Sequence, residues 1–561
     1  MDLPNEQTPD FSNVKDSCFD LGSHPPSDLI TMDPSYLLAL LLHCFLCPSF
    51  AARIVDLGYA QYKGKSDPVS GYDTFFGMRY AAAPVGDLRF RAPQPPLSSS
   101  RNVIDASNNS YPGTVCPQGF ISGHTLKFKD QLAKPISEDC LTLTVYSPSH
   151  NKGHPVVVYF HSGAYVLGDH SYEHPHRWLD LANKDVVLVV PNYRVGLFGF
   201  LGGEEVLRDG DLNAGLLDQQ FALKWVRKHI AKFGGDKSKV TIWGQSAGGG
   251  SVVQHIISNP AYPENSGLFL NAVATSPFMP SLYPYNHKVP VGRYEALLNS
   301  TGCHDLACLR RLSTQTLARV NMEICATGFF GTTSWFPVLE PKGGYIETPP
   351  SIALLNSTHK LNAQRVLTTH LSWDAYTIVN PSITNGNVTE YVHLWQPTLS
   401  PAQVNNLISL YPLSDFSSEK EQTASIYQDS VFVCPSYWVA MSYSGAGYKG
   451  IWNIPPGTHA NDAQYWLYPG DYHTLPSPET FENYVGGIVS FVRSGDANLF
   501  RLNREPGQSN MQEWPLFSRG TLKGLVFDLA DDGVGSMVEV RSMDPKLKER
   551  CELWLSLASQ L

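Results

Sequence analysis

Apolar residues in the first half of the chain come in short unbroken runs separated by a segment of different period. "HPVVVYFHSG" and "DVVLVVPNYR" are rich in valine and bounded by polar or glycine-bearing turns, the pattern of strands buried on both faces in a parallel sheet. "GLLDQQFALKWVRKHIAKFGG" changes to a helical period. Leu223, Val226 and Ile230 fall on one face, and Gly234 and Gly235 stand at its end. A third run, "KVTIWG", follows. Strand and helix in alternation predict an α/β fold with a mostly parallel sheet, without internal repeats or an evident linker after residue 52. The strand signal ends at Gly244, so Ser246 is expected at the carboxyl end of a strand, where open α/β sheets bind their ligands.

That serine lies in "VTIWGQSAGGGSV", and Gly244-Gln245-Ser246-Ala247-Gly248 fits G-x-S-x-G. The pattern describes a sharp strand-to-helix elbow that lifts a serine hydroxyl above a sheet. Glycines on either side remove the bulk that such a turn excludes. The helical signal resumes over Ser251 to Ile257. A glycine-rich turn with an incidental serine is the lesser alternative for the pentapeptide. A base, an acid and an oxyanion site elsewhere in the chain distinguish the two.

The N-terminal pattern is different. Residues 1–31 are polar and rich in Pro, Asp and Ser, after which "MDPSYLLALLLHCFLCPSFAAR" carries an apolar run from Tyr36 to Leu46 and then small residues at Ser49, Ala51 and Ala52. The run is too short to span a bilayer and has the length of a signal-peptide core. We therefore expect a polar extension over 1–31, a signal peptide over 32–51, a mature chain of one domain over 52–561, export to the extracellular space and no stable membrane span. Of the 10 cysteines, Cys18, Cys44 and Cys47 precede the expected cleavage site, which leaves an odd number and at least one free thiol. Sequons at Asn108, Asn299, Asn356 and Asn387 would carry glycans on surface loops of an exported chain. The 41 basic and 51 acidic residues give a net charge of −10, which argues against a nucleic-acid partner. "HSYEHPH" offers His170, His174 and His176 with Glu173, but Pro175 breaks the register that would gather them, and the stretch reads as a solvated loop with no metal. No nucleotide fingerprint occurs, and no cofactor is expected.

In order, "FFGMRYAAAPVGDLRFRAPQPP", "SEDCLTLTVYSP", "VVVYFHSGAY", "PNYRVGLFGFLG", "NAGLLDQQFALKWVRKHIAKFGGD" and "VTIWGQSAGGGS" resemble the successive signature blocks of the type-B carboxylesterase/lipase family, which includes the cholinesterases. The resemblance runs from about Gly58 to the C-terminus, is dense to Pro277, and is nearest in character to secreted filamentous-fungal members. It implies an α/β-hydrolase fold with long insertions and a secreted serine hydrolase that cleaves small-molecule or lipid carboxylic esters through an acyl-enzyme on Ser246. Two alternatives stay open: an acyltransferase using the same residues, and a catalytically silent adhesion or binding member of the fold. Substrate size and oligomeric state are not encoded in any motif.

The resemblance also implies partners for the serine. "PPGTHANDAQYWLY" matches the family's histidine block and selects His459 as general base. "QRVLTTHLSWDAYTIV" matches the block carrying the acid, which here is Asp374 followed by Ala375 where relatives have Glu and Gly. The shorter side chain requires a closer loop. Glu390 and Asp462 are the competing carboxylates, expected at the surface or at a helix start. The oxyanion donors carried over are the backbone N–H groups of Gly163, Ala164 and Ala247, with Ser162 standing at a usual glycine position. Ser276 falls where relatives keep a serine beside the acid, and Gln245 replaces the Glu of cholinesterases. The implied disulfides are Cys116 with Cys140, Cys303 with Cys308 and Cys434 with Cys551, leaving Cys325 single. The loop between Cys116 and Cys140 lacks the tryptophan with which cholinesterases hold a quaternary ammonium, so choline esters are not the expected substrates.

Overall fold

The computed structural model describes residues 53–560 apart from 68–69, 99–101, 109–113, 123–134, 151, 171–175, 329–331, 380–387, 468–477, 503–511 and 531–535. The expected extension and signal peptide lie outside the described residues, as does Asn387. Arg53–Leu561 form one compact unit. Its main sheet has eleven strands: β1 (Lys65–Asp67), β2 (Tyr72–Arg79), β3 (Thr142–Pro148), β4 (His154–Phe160), β5 (Val187–Pro191), β6 (Gly235–Gln245), β7 (Asn271–Thr275), β8 (Arg365–Leu371), β9 (Gly447–Trp452), β10 (Lys523–Leu529) and β11 (Ser536–Ser542). Their order across the sheet is β11-β10-β9-β8-β7-β6-β4-β5-β3-β2-β1. Strands β4 to β10 run parallel, and the outer strands on both sides are antiparallel.

Period-two alternation divides the valine-rich runs between two cores. Val156, Val158 and Phe160 of β4 join the larger core, while Val157 and Tyr159 join the smaller one with Trp243, Leu367 and Trp452. Burial on both faces explains why these strands read as unbroken apolar runs.

The helices that bear on the site are α1 (Ala214–His229), α2 (Ala247–Ile257), α3 (Lys288–Thr301), α4 (Thr314–Ala326), α5 (Val388–Trp395), α6 (Glu419–Gln428), α7 (Cys434–Ser442), α8 (Pro478–Ser494) and α9 (Pro545–Leu557). The helix read from the sequence stops at His229. A 3-10 turn over Ile230–Phe233 follows, Gly234 closes it at φ 81° in the left-handed region, and Gly235 already belongs to β6. Insertions carry α3 and α4 between β7 and β8, and α5 to α7 between β8 and β9. The second of these insertions carries Phe432, which packs on His459.

All three implied disulfides are present, and Cys325 is a buried free thiol. Asn108, Asn299 and Asn356 are exposed. His170, expected in a solvated loop, is instead buried, and its backbone N–H donates to Asn192 Oδ1 at 2.8 Å. Among the described residues no helix is long and apolar enough to cross a membrane.

Candidate active site

The sheet order itself places the site. The chain passes from β4 to β5 on one side and then returns to lay β6 on the other, so the turns after β4 and β6 leave adjacent carboxyl ends at a topological switch point. Phe160 at the end of β4 is in register with Gly244 near the end of β6. Ser246 follows at φ 57° and ψ −123°, and α2 begins at the next residue. A Cβ on Gly244 would lie 2.3 Å from the Gly248 carbonyl carbon, and one on Gly248 would lie 2.0 Å from Phe160 O. Both glycines are therefore required by close backbone approach. The strained serine is held on both sides: its N–H donates to Thr275 O at 3.0 Å, and its carbonyl accepts from Gly250 and Phe278, each at 2.8 Å.

Two loops meet this elbow. Trp373 N–H donates to Gly457 O at 2.9 Å, and Trp373 and Thr458 form a parallel bridge. This joins the segment after β8 to the segment carrying His459. His459 Nε2 lies 2.8 Å from Ser246 Oγ, and its Nδ1 lies 2.8 Å from Asp374 Oδ1. With Nδ1–H donating to the carboxylate, Nε2 is left as the acceptor for the serine proton; the tautomer follows from this bonding pattern. Asp374 is fully buried. Its Oδ2 accepts from Leu371 N–H at 2.8 Å and Ser276 Oγ–H at 3.0 Å. The turn from Leu371 to Asp374, closed by the Leu371 N–H bond to the carboxylate, brings the shorter Asp within reach of the imidazole. Glu390, in the first turn of α5, is exposed.

Gly163 (φ 113°) and Ala164 (φ 56°) both lie in the left-handed region, whereas Ser162 does not. A serine at that position thus demands no glycine conformation. Ala247 opens α2, so its N–H has no intrahelical acceptor. The N–H groups of Gly163, Ala164 and Ala247 have no protein acceptor among the described residues. The turn is anchored by His161, which stacks on Tyr193 at 4.0 Å and accepts the Tyr193 hydroxyl proton at its carbonyl, 2.7 Å away. Burial pulls the His161 imidazole down to about 4, so it stays neutral beside the site.

Other neighbours were not evident from motifs. Phe432, in a π-helical turn over Asp429–Val433, tilts against His459 with ring centres 4.7 Å apart. Gln245 Nε2 lies 3.4 Å from His459 Nε2. Asp462 does start a short 3-10 helix but is fully buried rather than superficial. Its Oδ2 accepts the Tyr484 hydroxyl proton at 2.7 Å, and that hydroxyl also lies 3.1 Å from Thr369 Oγ1. Burial, reinforced by the negative charge of Asp374, raises the Asp462 carboxyl to about 6 against the lowering effect of Tyr484. The acidic residue three places after His459 was visible in the sequence. Tyr484, on α8, had no signal that tied it to the site.

A serine hydroxyl bonded to a histidine that is itself bonded to a buried carboxylate, with three neighbouring backbone N–H groups lacking a protein acceptor, is an arrangement capable of acyl transfer through a tetrahedral intermediate. Among the described residues no group of histidine, cysteine and carboxylate side chains could hold a metal ion.

A sequence profile of the carboxylesterase family matches residues 51–532. The chain is 30% identical over 560 residues to carboxylesterase patB of Aspergillus clavatus, covering 89% of this chain and 95% of the relative. It is 27% identical over 441 residues to a secreted lipase of Arthroderma benhamiae, covering 76% and 83%. Among solved structures, Aspergillus niger EstA superposes with a TM-score of 0.77 at 26% identity, covering 91% of this chain and 99% of that one.

Proposed function

Because the chain belongs to the carboxylesterase family and is a serine-type carboxylic ester hydrolase, we propose that Ser246 is its nucleophile, His459 its general base and Asp374 the group that orients His459. The observation that carries this is the unbroken hydrogen-bonded chain from Ser246 Oγ through both nitrogens of His459 to Asp374 Oδ1, each link 2.8 Å. As Oγ attacks the ester carbonyl carbon, its proton passes to His459 Nε2, and Asp374 stabilises the imidazolium. The carbonyl oxygen becomes an oxyanion held by the N–H groups of Gly163, Ala164 and Ala247. Collapse of the intermediate breaks the bond to the alcohol, which leaves with the proton returned by His459. Water then repeats the sequence on the acyl-enzyme and frees the carboxylic acid. Ser276 and Leu371 act through Asp374 by fixing its second oxygen.

The test is a series of 4-nitrophenyl esters of graded chain length with a Ser246→Ala control. Hydrolysis that requires Ser246 supports the assignment; equal turnover by both proteins removes it. Choline esters should be poorer substrates than neutral esters of the same acyl group. Gln245 stands where a carboxylate would attract the cation, and no tryptophan occurs between Cys116 and Cys140.

Export fits the apolar run at 36–46, the three disulfides, which form in oxidising compartments, and the sequons on exposed positions. The relative from Arthroderma benhamiae is itself described as secreted. Mass spectrometry of the product in the culture medium should find a mature N-terminus near Ala52; an intracellular protein retaining residues 1–31 would overturn this assignment.

A further inference from the structure

Beside the catalytic elbow lies a cavity of about 360 Å3. One wall is Phe278, the residue whose N–H donates to Ser246 O and whose ring meets Phe432, the ring packed on His459. Helix α3 lines the cavity with Val289, Gly292, Arg293 and Ala296, a stripe at helical spacing, and Trp395 of α5 lines it as well. The lining is mostly apolar, aromatic or hydroxyl-bearing. Arg293 is the one charged residue among its described members.

This half-buried arginine is unlike the arginines that are fully buried. Arg89, Arg194 and Arg310 each face a carboxylate, those of Glu138, Asp218 and Asp209. Arg501 reaches the amide oxygens of Asn483 and Asn498 and the Gln512 carbonyl. Arg293 has no such partner. Its Cζ sits 4.5 Å above the Phe336 ring, and its hydrogen bonding among the described residues is one long contact, from Nη2 to Thr333 O at 3.5 Å. Five N–H donors in a rigid fork are thus held in a cavity with no acceptor that matches them. Burial draws the guanidinium down to about 10, which leaves it charged at neutral pH. A half-buried cation with no counter-ion, facing a recess with apolar walls, is matched by a ligand that supplies the anion.

We propose that this cavity is a substrate subsite in which Arg293 binds a carboxylate carried by the ester remote from its scissile bond, so that the enzyme prefers half-esters and other singly anionic esters over neutral ones. The proposal rests on the assignment of Ser246 as nucleophile, because Phe278 links the cavity to that residue. The planar guanidinium offers a carboxylate two parallel hydrogen bonds, and the apolar walls reduce the water that competes for them. The same charge repels a quaternary ammonium.

The experiment compares kcat/KM for the 4-nitrophenyl monoesters of succinate, glutarate and adipate with that for neutral 4-nitrophenyl esters of the same chain length. It is run on the parent, Arg293→Gln and Arg293→Lys, and Ser246→Ala provides the background. A matching pair with the carboxylate on the alcohol side, the acetate of 3-(4-hydroxyphenyl)propanoate against 4-propylphenyl acetate, covers the other orientation. The anionic-to-neutral ratio, which does not depend on the fraction of folded enzyme, should exceed one in the parent for at least one pair. It should fall about tenfold or more in Arg293→Gln, and Arg293→Lys should recover part of it. A parent ratio at or below one in every pair, or a ratio that Arg293→Gln leaves within threefold, overturns the subsite. Calorimetric binding of the adipate monoester to Ser246→Ala protein, with and without Arg293→Gln, reads the subsite apart from catalysis. Turnover by Ser246→Ala would sink the nucleophile assignment, whereas tenfold weaker binding on losing Arg293 would still uphold the subsite.

Discussion

Asp374 and Asp462 are both fully buried within one site, yet their surroundings give them opposite duties. Asp374 receives Leu371 N–H and Ser276 Oγ–H on one oxygen and meets His459 on the other. Its amide variant, Asp374→Asn, should keep the fold and leave the imidazole in the wrong tautomer, lowering kcat on the order of 10⁴-fold near neutral pH. Asp462→Asn should cost about tenfold at most, since only a neighbouring charge is lost, and Glu390→Gln on the exposed start of α5 should cost nothing measurable. Steady-state kinetics on one activated ester, with circular dichroism for folding, ranks the three. A different ranking would relocate the acid. Asp462 carries a second expectation. Its carboxyl is raised from 3.8 to about 6, so folding favours the protonated form. That contribution is complete below about pH 4 and is lost as pH rises through about 6, a loss of about 3 kcal/mol. Asp462→Asn escapes the loss, and should therefore melt above the parent at pH 8 and level with it at pH 4. Thermal unfolding at the two pH values decides this. The different legibility of these residues has the same physical root. Gly244 and Gly248 announce the elbow because the backbone contacts that demand them are made within it and with the neighbouring strand end. The burial of Asp462 depends on Tyr484, 22 positions away on α8, and no local pattern encodes that meeting.

Elements buried on both faces were the legible ones. Strands β4, β5 and the second half of β6 have nearly uniform burial, so their apolar runs are unbroken and unmistakable. The sequence pattern shows the helix after Ser246 only from Ser251, whereas α2 starts at Ala247. Its first turn is nearly all glycine and shows no apolar period, because backbone rather than side chains packs there. A Cβ on Gly249 would lie 2.9 Å from Thr275 O, and one on Gly250 2.1 Å from Phe278 O. The antiparallel pair β10 and β11 and the helix α8 escaped notice, as their patterns are weaker and their partners distant in sequence. The elbow's packing gives an element-scale prediction with an internal control. Gly248→Ala must push Phe160 O away from 2.0 Å. It should destabilise the protein by more than about 4 kcal/mol, the range of severe core disruption, or abolish folding. Gly292→Ala, within α3, meets nothing inside 4 Å and should stabilise by about 0.5–1 kcal/mol through lost backbone freedom in the unfolded chain. Denaturant unfolding of both variants checks the pair. Equal effects would mean that the elbow is not as tight as the strand register requires.

At the scale of the whole molecule, the disulfides differ in how much chain they constrain. Cys303–Cys308 closes a separation of 5 residues, and Cys434–Cys551 one of 117. On loop-closure entropy alone the short bridge is worth about 2 kcal/mol and the long one about 5 kcal/mol. The long bridge also bears on the site. Cys434 follows directly on the π-helical turn that seats Phe432 against His459, and Cys551 lies in α9, the last helix of the chain. Removing the bridge takes away the covalent tie between α9 and the turn that packs Phe432 on His459, leaving the ion pair of Arg550 with Asp429. Replacement of both cysteines by alanine at 434 and 551 should therefore lower stability by more than the same replacement at 303 and 308, and should lower kcat as well, while the short-bridge variant keeps its kcat. Thermal melts and turnover of a neutral 4-nitrophenyl ester measure both quantities on the same preparations. Equal melting losses would show that the unfolded chain retains structure around the long loop. An unchanged kcat in the 434/551 variant would show that the π turn holds Phe432 without the bridge, the ion pair of Arg550 with Asp429 being sufficient. Made where thiols stay reduced, a chain of this sequence should lack the long bridge and the stability that the bridge contributes.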